Sequence, residues 1–480
     1  MIQKTAILFF IIFSGYSSFT QERFNTHIQL SGAQTSNFID FNSQTYTTYI
    51  GSHVSGNKRF VIKYDLNESG NFLDSVHLQM DEPMGVQARL LHNSIYLLGV
   101  RDSSSQITSN EKVYIAKYNT NLDTVWTLLL DDFPDQAVPA SLIYIGGDSL
   151  ILAGHYKEQP SQKYKQFLSL LDTNGTEIWR QLYNMGTNDQ IAYSVETTDD
   201  GGYLVSGGTK SWGNGGFDWY LMKVDPNGVF QWHKWWGSPT GESCFCKRLE
   251  DGNYVLFSGI DNQWGHFSSY AMKVDPNGDT IWTSNLELRD FGSDGLANVA
   301  ELENGDLFFV GSGVDTNNLR TQGQAVKVNA NGEFQWRRIY ELGPQSNYLE
   351  GVTKTPDGGF AMVGYANPPV GDQDVWIVKV DSMGCDVPLC YLGERELGLE
   401  LPILKCYPNP ASSISTIELL ENSREIQLYN SAGMLQKKLE IENNEKELKL
   451  DLSLFPHDIY ILRLLDKNGV TIGQGKVVKR

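Results

Sequence analysis

Ten residues, KVDPNGVFQW (Lys223 to Trp232), return as KVDPNGDTIW (Lys273 to Trp282) and again as KVNANGEFQW (Lys327 to Trp336). Looser copies are KYDLNESG at Lys63, KYNTNLDTVW at Lys117, LLDTNGTEIW at Leu170 and KVDSMG at Lys379, so the step stays between 50 and 54 residues. A second motif keeps time about twenty residues upstream. It reads DDGGYLVSGG from Asp199, EDGNYVLFSG from Glu250, ENGDLFFVGSG from Glu303 and PDGGFAMVGY from Pro356. A period held seven times dictates a repeat architecture, in which each unit buries its apolar face only against its neighbours.

Each unit reads as four short strands. In the clearest one, SVETT precedes the turn Asp-Asp-Gly-Gly, then come YLVSGG, a loop, DWYLMKVD, the turn Asp-Pro-Asn-Gly and VFQWHKWW. These runs are alternating or continuously apolar and are punctuated by turn residues, with no helical period. Asp225-Pro226-Asn227-Gly228 has type I turn chemistry: Asp first, Pro presetting φ, Gly last. Four antiparallel strands per unit make a propeller blade. The seventh unit stops at Gly384 after its third strand, while an orphan strand, FNTHIQLSG (Phe24 to Gly32), precedes the first unit. The expectation is an all-β, seven-bladed β-propeller over residues 23–384. Residues 24–32 are expected to complete the last blade and leave no open sheet edge. The motif string TDDGGYLVSGG, GGFDWYLMKVDPNGVFQW and WWGS resembles the β-propeller repeats of many secreted Bacteroidetes proteins, over all seven units.

Glycine is plentiful at 46 residues and charged residues make up only 20%, a mix that suits strands and turns and excludes a coiled coil. The net charge of −19 repels nucleic acid and anionic membrane, so neither is expected as a partner. Lys4, the apolar run AILFFIIF (Ala6 to Phe13) and Ser18-Phe19-Thr20 read as a signal peptide over residues 1–20. No stretch approaches the ~20 apolar residues of a transmembrane helix. In the oxidising compartment this implies, Cys385 and Cys390 bracket a short proline-containing loop. They are expected to form a disulfide in a linker over 385–402. Cys244 and Cys246 read as buried thiols, and Cys406 is left over.

Residues 403–480 read as a small antiparallel β-sandwich, immunoglobulin-like. The string closely resembles the type A C-terminal sorting domain of the type IX secretion system. Tyr407-Pro408-Asn409-Pro410 matches its opening motif, Asn430-Ser431-Ala432-Gly433 its turn, Leu450-Asp451-Leu452 its middle strand and Lys476-Val477-Val478-Lys479 its end. His457-Asp458-Ile459-Tyr460 lacks the glycine usual before Ile-Tyr. The resemblance implies that the type IX machinery is a partner and that the protein is exported through the periplasm, then secreted or held on the outer-membrane surface.

No catalytic constellation emerges. The eight histidines show no HExxH, and there is no Gly-x-Ser-x-Gly elbow and no phosphate loop. The Asp-x-x-Gly-x-x-x-Trp spacing is similar to the tryptophan-docking motifs of quinoprotein dehydrogenase propellers. Those carry eight blades, an adjacent Cys-Cys pair and a calcium cluster, none of which is written here. Neither a cofactor nor a metal is expected. The recurrent Lys/Asp pairs, such as Lys223 with Asp225, read as ion pairs or turn caps. Function is sought instead on the loops that vary, opposite the uniform DGG and DPNG hairpins. Clustered Trp212, Trp236, Trp264 and His266 are the candidate residues for stacking on a sugar or anchoring a protein. The expected function is a non-catalytic binding module for an extracellular protein or glycan. The rival readings are an extracellular polysaccharide lyase or hydrolase on the same scaffold, and an adhesin component.

Overall fold

The computed structural model describes residues 23–480 apart from 29–32, 36–38, 43–44, 55–57, 81–83, 103–110, 214–215, 238–242, 262–266, 287–290, 316–319, 344, 368–372, 388–389, 391–402, 421, 431–434, 442–444 and 468–470. Among the described residues the elements are strands, with no α-helix. Up to Val380 these strands form seven antiparallel sheets. The unit Gln190–Thr197, Tyr203–Thr209, Asp218–Val224 and Phe230–Trp236 is typical, its strands paired in chain order. Its two middle strands are buried at every position, because each sheet face meets a neighbouring sheet, which is why they read as continuous apolar runs. The first strand of each unit lies at the inner edge of its sheet.

The first sheet has an inner edge in two pieces, Ala33–Thr35 and Ile39–Asn42, both paired to Thr45–Val54. The last sheet, Asn347–Lys354, Phe360–Ala366 and Asp374–Val380, takes Phe24–Ile28 as its outer strand, antiparallel to Asp374–Val380. Arg23 Nη2 donates to Asp381 at 2.6 Å and Trp376 Nε1 to Asn25 Oδ1 at 2.7 Å, fixing that strand in register. Neighbouring sheets pack in chain order, and Asn347–Lys354 packs against Ile39–Asn42, so the sheets close into a ring.

The repeated decapeptide builds two things. Asp225 Oδ1 accepts the amides of Asn227 and Val229, both at 2.8 Å, capping the outer hairpin. Asp172, Asp275, Asn329 and Asp381 cap theirs in the same way. The lysine of the motif does not pair with this aspartate. It reaches back to the inner hairpin: Lys223 to Asp200 at 2.9 Å, Lys273 to Asp251 at 2.6 Å, Lys327 to Asp306 and Lys379 to Asp357, both at 2.9 Å. In the first unit the frame slips by two residues relative to an alignment on Lys63. There Asn67 is the cap, accepting from Ser69 and Asn71, and Lys63 does pair with Asp65 two residues on, at 2.8 Å.

The tryptophan then locks one sheet to the next. Trp126, Trp179, Trp232, Trp282 and Trp336 lie against the turn glycines of the following sheets, Gly175, Gly228, Gly278, Gly332 and Gly384. A Cβ at any of these glycines would meet an indole ring, and each glycine has φ between +75° and +87°. Trp126 and Trp282 also donate from Nε1 to turn carbonyls, of Thr173 at 2.9 Å and Ala330 at 3.1 Å. Phe24 takes the same role on Gly70, which ties the last sheet to the first. Four residues beyond Gly70, where other units carry tryptophan, stands Asp74. The turn that faces this unit has Leu122 in place of glycine (φ 64°), and Leu122 is buried against Val76 and Leu78.

A second glycine, in the second strand, has a different duty. The inner strands bulge at Ala140, Tyr193, Ala297 and Glu350. Each bulge drives a backbone carbonyl onto Gly154, Gly207, Gly311 or Gly364, at 1.8–2.4 Å from where a Cβ would stand. The glycine after LVS in the motif is thus the floor beneath the bulge.

The C-terminal strands form two further sheets. One holds Cys406–Tyr407, Ile414–Glu418 and Glu447–Asp451, and the other holds Leu435–Glu440, Glu425–Tyr429, Ile459–Leu465 and Thr471–Val478. Ile417, Leu450, Ile426, Leu462 and Val477 meet between them in one core.

Gly207→Ala is expected to cost about 3 kcal/mol, since an added methyl overlaps the Ile191 carbonyl. Gly343→Ala, at φ +71° with open space around it, should cost only about 1–2 kcal/mol. Urea unfolding of both variants checks this, and equal midpoints would contradict the bulge-floor role. A pH effect follows from Asp200. The Thr198 hydroxyl and then Lys223 hold it down at about 2, against the opposing pull of burial. A carboxylate depressed from the ordinary ~3.9 contributes stability that is full above pH ~4 and is lost as pH falls toward 2. Asp200→Asn should therefore flatten the acid limb of a stability–pH curve.

Candidate functional site

On the variable-loop side, the loop after Thr209 is pinned to the preceding crossing. Asn188 donates its amide to Ser211 Oγ at 2.9 Å, and Gly186 leaves room for Trp212. Trp212 stacks on Tyr220 with ring centroids 5.7 Å apart and on Trp235 at 5.9 Å, and His233 meets it edge-on at 4.3 Å. Tyr220 is buried, and its hydroxyl sits 3.0 Å from His233 Nδ1, which orients the imidazole. Burial pushes the His233 pKa down, so the ring is neutral at pH 7. Trp235 remains 43% exposed, which leaves a flat aromatic surface backed by fixed rings.

Of the candidates drawn from sequence, Trp212 belongs to this cluster. Trp236 does not; it follows Trp235 on the same strand, so its side chain is on the opposite sheet face. There it packs with Trp219 and Trp232 toward the next sheet. Trp264 and His266 lie outside the described residues. Trp235 and His233 were not singled out in the sequence, yet strand parity marks them: positions 233 and 235 share the face that position 232 does not.

The inner strands enclose an axial cavity of about 720 Å³. The bulge residues Ala140, Tyr193, Ala297 and Glu350 line it. Tyr193 and Phe245 stack at 5.4 Å, giving the wall an aromatic side. Glu196 lies 3.5 Å from Lys247, and burial, opposed by Lys247, raises its pKa. Burial alone raises that of Glu350. His155, also on the wall, is pushed by burial down to about 4 and is neutral at pH 7.

Cys385 and Cys390 are disulfide-bonded, while Cys244, Cys246 and Cys406 are free thiols. Burial raises the thiol pKa of Cys244 to about 12 and that of Cys406 to about 11, so neither is a nucleophile at neutral pH. Among the described residues no group of three metal-ligating side chains occurs, and no helix is long and apolar enough to cross a membrane.

In the C-terminal domain the first and last sorting motifs are stitched to each other. Asn409 Nδ2 donates to the Lys476 carbonyl at 2.7 Å, and Val478 N donates to Asn409 Oδ1 at 2.9 Å. Lys479 is buried with its ammonium on the carbonyls of Ser412 and Arg480, whereas Lys476 is exposed. The Tyr407 hydroxyl donates to Glu447 at 2.8 Å. Pro408 and Pro410 flank Asn409 within this join. Gly433 lies outside the described residues.

Residues 405–480 match the family described as the secretion system C-terminal sorting domain. No curated protein sequence matches the chain. Among solved structures, the chain is similar to the β-propeller domain of the Trilobed protease from Pyrococcus furiosus. Identity is 8% and the TM-score 0.42, with 74% of this chain and 97% of that one covered. It is also similar to a polysaccharide lyase, a PL25 ulvan lyase, at 9% identity and TM-score 0.47, covering 74% of this chain and 96% of that one. A third likeness is to the acylaminoacyl peptidase of Pyrococcus horikoshii, at 10% identity and TM-score 0.41. It covers 80% of this chain but only 57% of the peptidase. The protein is a β-propeller chain carrying a type IX sorting domain, which directs it to the cell surface or the extracellular space.

Lys479→Ala removes a buried ammonium and leaves carbonyls unpaired, so it is expected to destabilise the sorting domain by about 1–3 kcal/mol. Lys476→Ala should stay within about 0.5 kcal/mol. Thermal unfolding separates the two; equal losses would refute the division of labour between the lysines.

Proposed function

We propose that this exported propeller is a non-catalytic binding module for an extracellular protein or glycan, and that its ligand meets the variable-loop side at Trp212 and Trp235. The observation that carries this reading is the exposed Trp235 face, held flat by Trp212, Tyr220 and His233. Large rings already fixed in place bind with little loss of conformational freedom, and a sugar's C–H face or a partner's apolar side chain suits such a surface. Four inner hairpins, at Asp200, Asp251, Asp306 and Asp357, are held by lysine ion pairs, which supports assigning recognition to the other side. The linker over 385–402 would then join a binding body, residues 23–384, to an export tail, residues 403–480.

The rival, a polysaccharide lyase or hydrolase, draws support from Glu196 and Glu350, two carboxyl groups raised by burial on the wall of one cavity. Glycan-array and pull-down screening of the exported chain tests the choice. A ligand bound by the parent should lose at least tenfold in affinity in Trp235→Ala, about 1.4 kcal/mol. Turnover of a polysaccharide with no retained binding would overturn the binding-module reading.

A further inference from the structure

The axial cavity is a different place from the loop-side aromatic cluster, and its wall is chemically asymmetric. Tyr193 belongs to the fourth sheet in chain order and Phe245 to the fifth, while Glu350 belongs to the seventh, on another side of the axis. The stacked pair Tyr193–Phe245 continues outward into Phe257, 5.8 Å from Phe245, so these rings are backed by core.

The charges on this wall are almost all accounted for. Glu196 has Lys247 at 3.5 Å, and Asp40 and Arg89 are each engaged with partners of their own. Glu350 is the exception: among the described residues its carboxylate makes no hydrogen bond and no ion pair, and burial is the one influence on its titration. Its position is not accidental to the backbone, since it is the bulged residue of its strand, fixed by the carbonyl of Tyr348 seated on Gly364. The same bulge places alanine at 140 and 297, so an acidic side chain here is a property of this unit and not of the repeat.

We propose that the axial cavity binds a small organic cation, an ammonium group on an apolar or aromatic body, with the charge against the Glu350 carboxylate and the body against Tyr193 and Phe245. A half-desolvated carboxylate without a partner is costly, and a monocation is the ligand that relieves it. The tyrosine face adds attraction for a cation that it denies an anion. A metal ion is the poorer match, because among the described residues no three ligating side chains come together. The net charge of −19 raises the local concentration of cations around the whole protein.

The test is isothermal titration calorimetry on the full exported chain, with phenethylammonium as probe and phenylacetate, which carries the same ring, as its anionic counterpart. Saturable binding of phenethylammonium is expected, with none for phenylacetate. Glu350→Gln should weaken it about tenfold or more, equal to about 1.4 kcal/mol, and Tyr193→Ala about fivefold. Trp235→Ala should leave it unchanged, which separates this site from the loop-side cluster. Absence of saturable phenethylammonium binding, equal binding of phenylacetate, or a Glu350→Gln affinity within twofold of the parent would each overturn the proposal. Should Glu350→Gln fail to fold by circular dichroism, Tyr193→Ala decides: affinity within twofold of the parent refutes the site.

Discussion

A ring of sheets stands only if each sheet is braced against the next, and here the brace is an indole laid on a left-handed turn glycine. The two parts are mutually necessary. The glycine takes positive φ without strain, and the absence of a Cβ is what lets the ring approach. Where the ring is missing, the glycine is missing too: Asp74 stands in the tryptophan position, and the facing turn carries Leu122, whose side chain fills the space against Val76 and Leu78. Where the chain must close on itself, Phe24 supplies the ring from the other end of the sequence. Capping aspartates hold these turns in shape, Asp225 and Asp275 among them.

A second constraint runs through the inner strands. Bulges on four of them turn one residue toward the axis, and the glycine beneath makes room for the displaced carbonyl. The bulge is common to several units but the residue it presents is not: alanine twice, tyrosine once, glutamate once. Repetition thus fixes where a side chain enters the cavity, while sequence variation decides what chemistry it brings. The same separation holds between the two ends of the sheets, where uniform hairpins stand at one end and a non-uniform set of loops at the other.

Some of this was open to reading in the chain. The period, the four strands of a unit and the wedged tryptophan follow from motif spacing and turn chemistry. The sorting motifs are equally plain. The lysine–aspartate ion pair was misjudged in detail because spacing along a strand does not show that a long side chain reaches the neighbouring hairpin. In the first unit the slip of two residues was hidden because Lys63-Tyr64-Asp65 imitates the motif while Asn67 performs its work. Of the loop-side rings, Trp212 was visible as one of several tryptophans. Its partnership with His233 and Trp235 depended on strand parity, which assigns Trp236 to the opposite face.

By itself the sequence determined the local conformations: which segments are strands, which turns need glycine, and which tail directs export. Those are set by short-range sterics and by motifs a few residues long. Only the tertiary structure decided what meets across long separations. It put Phe24 on Gly70 and beside Asp374–Val380, Asn409 against Lys476 and Val478, and Glu350 on the same cavity wall as Tyr193. Such meetings depend on closing the ring and the sandwich, and closure is a property of how all the units pack together.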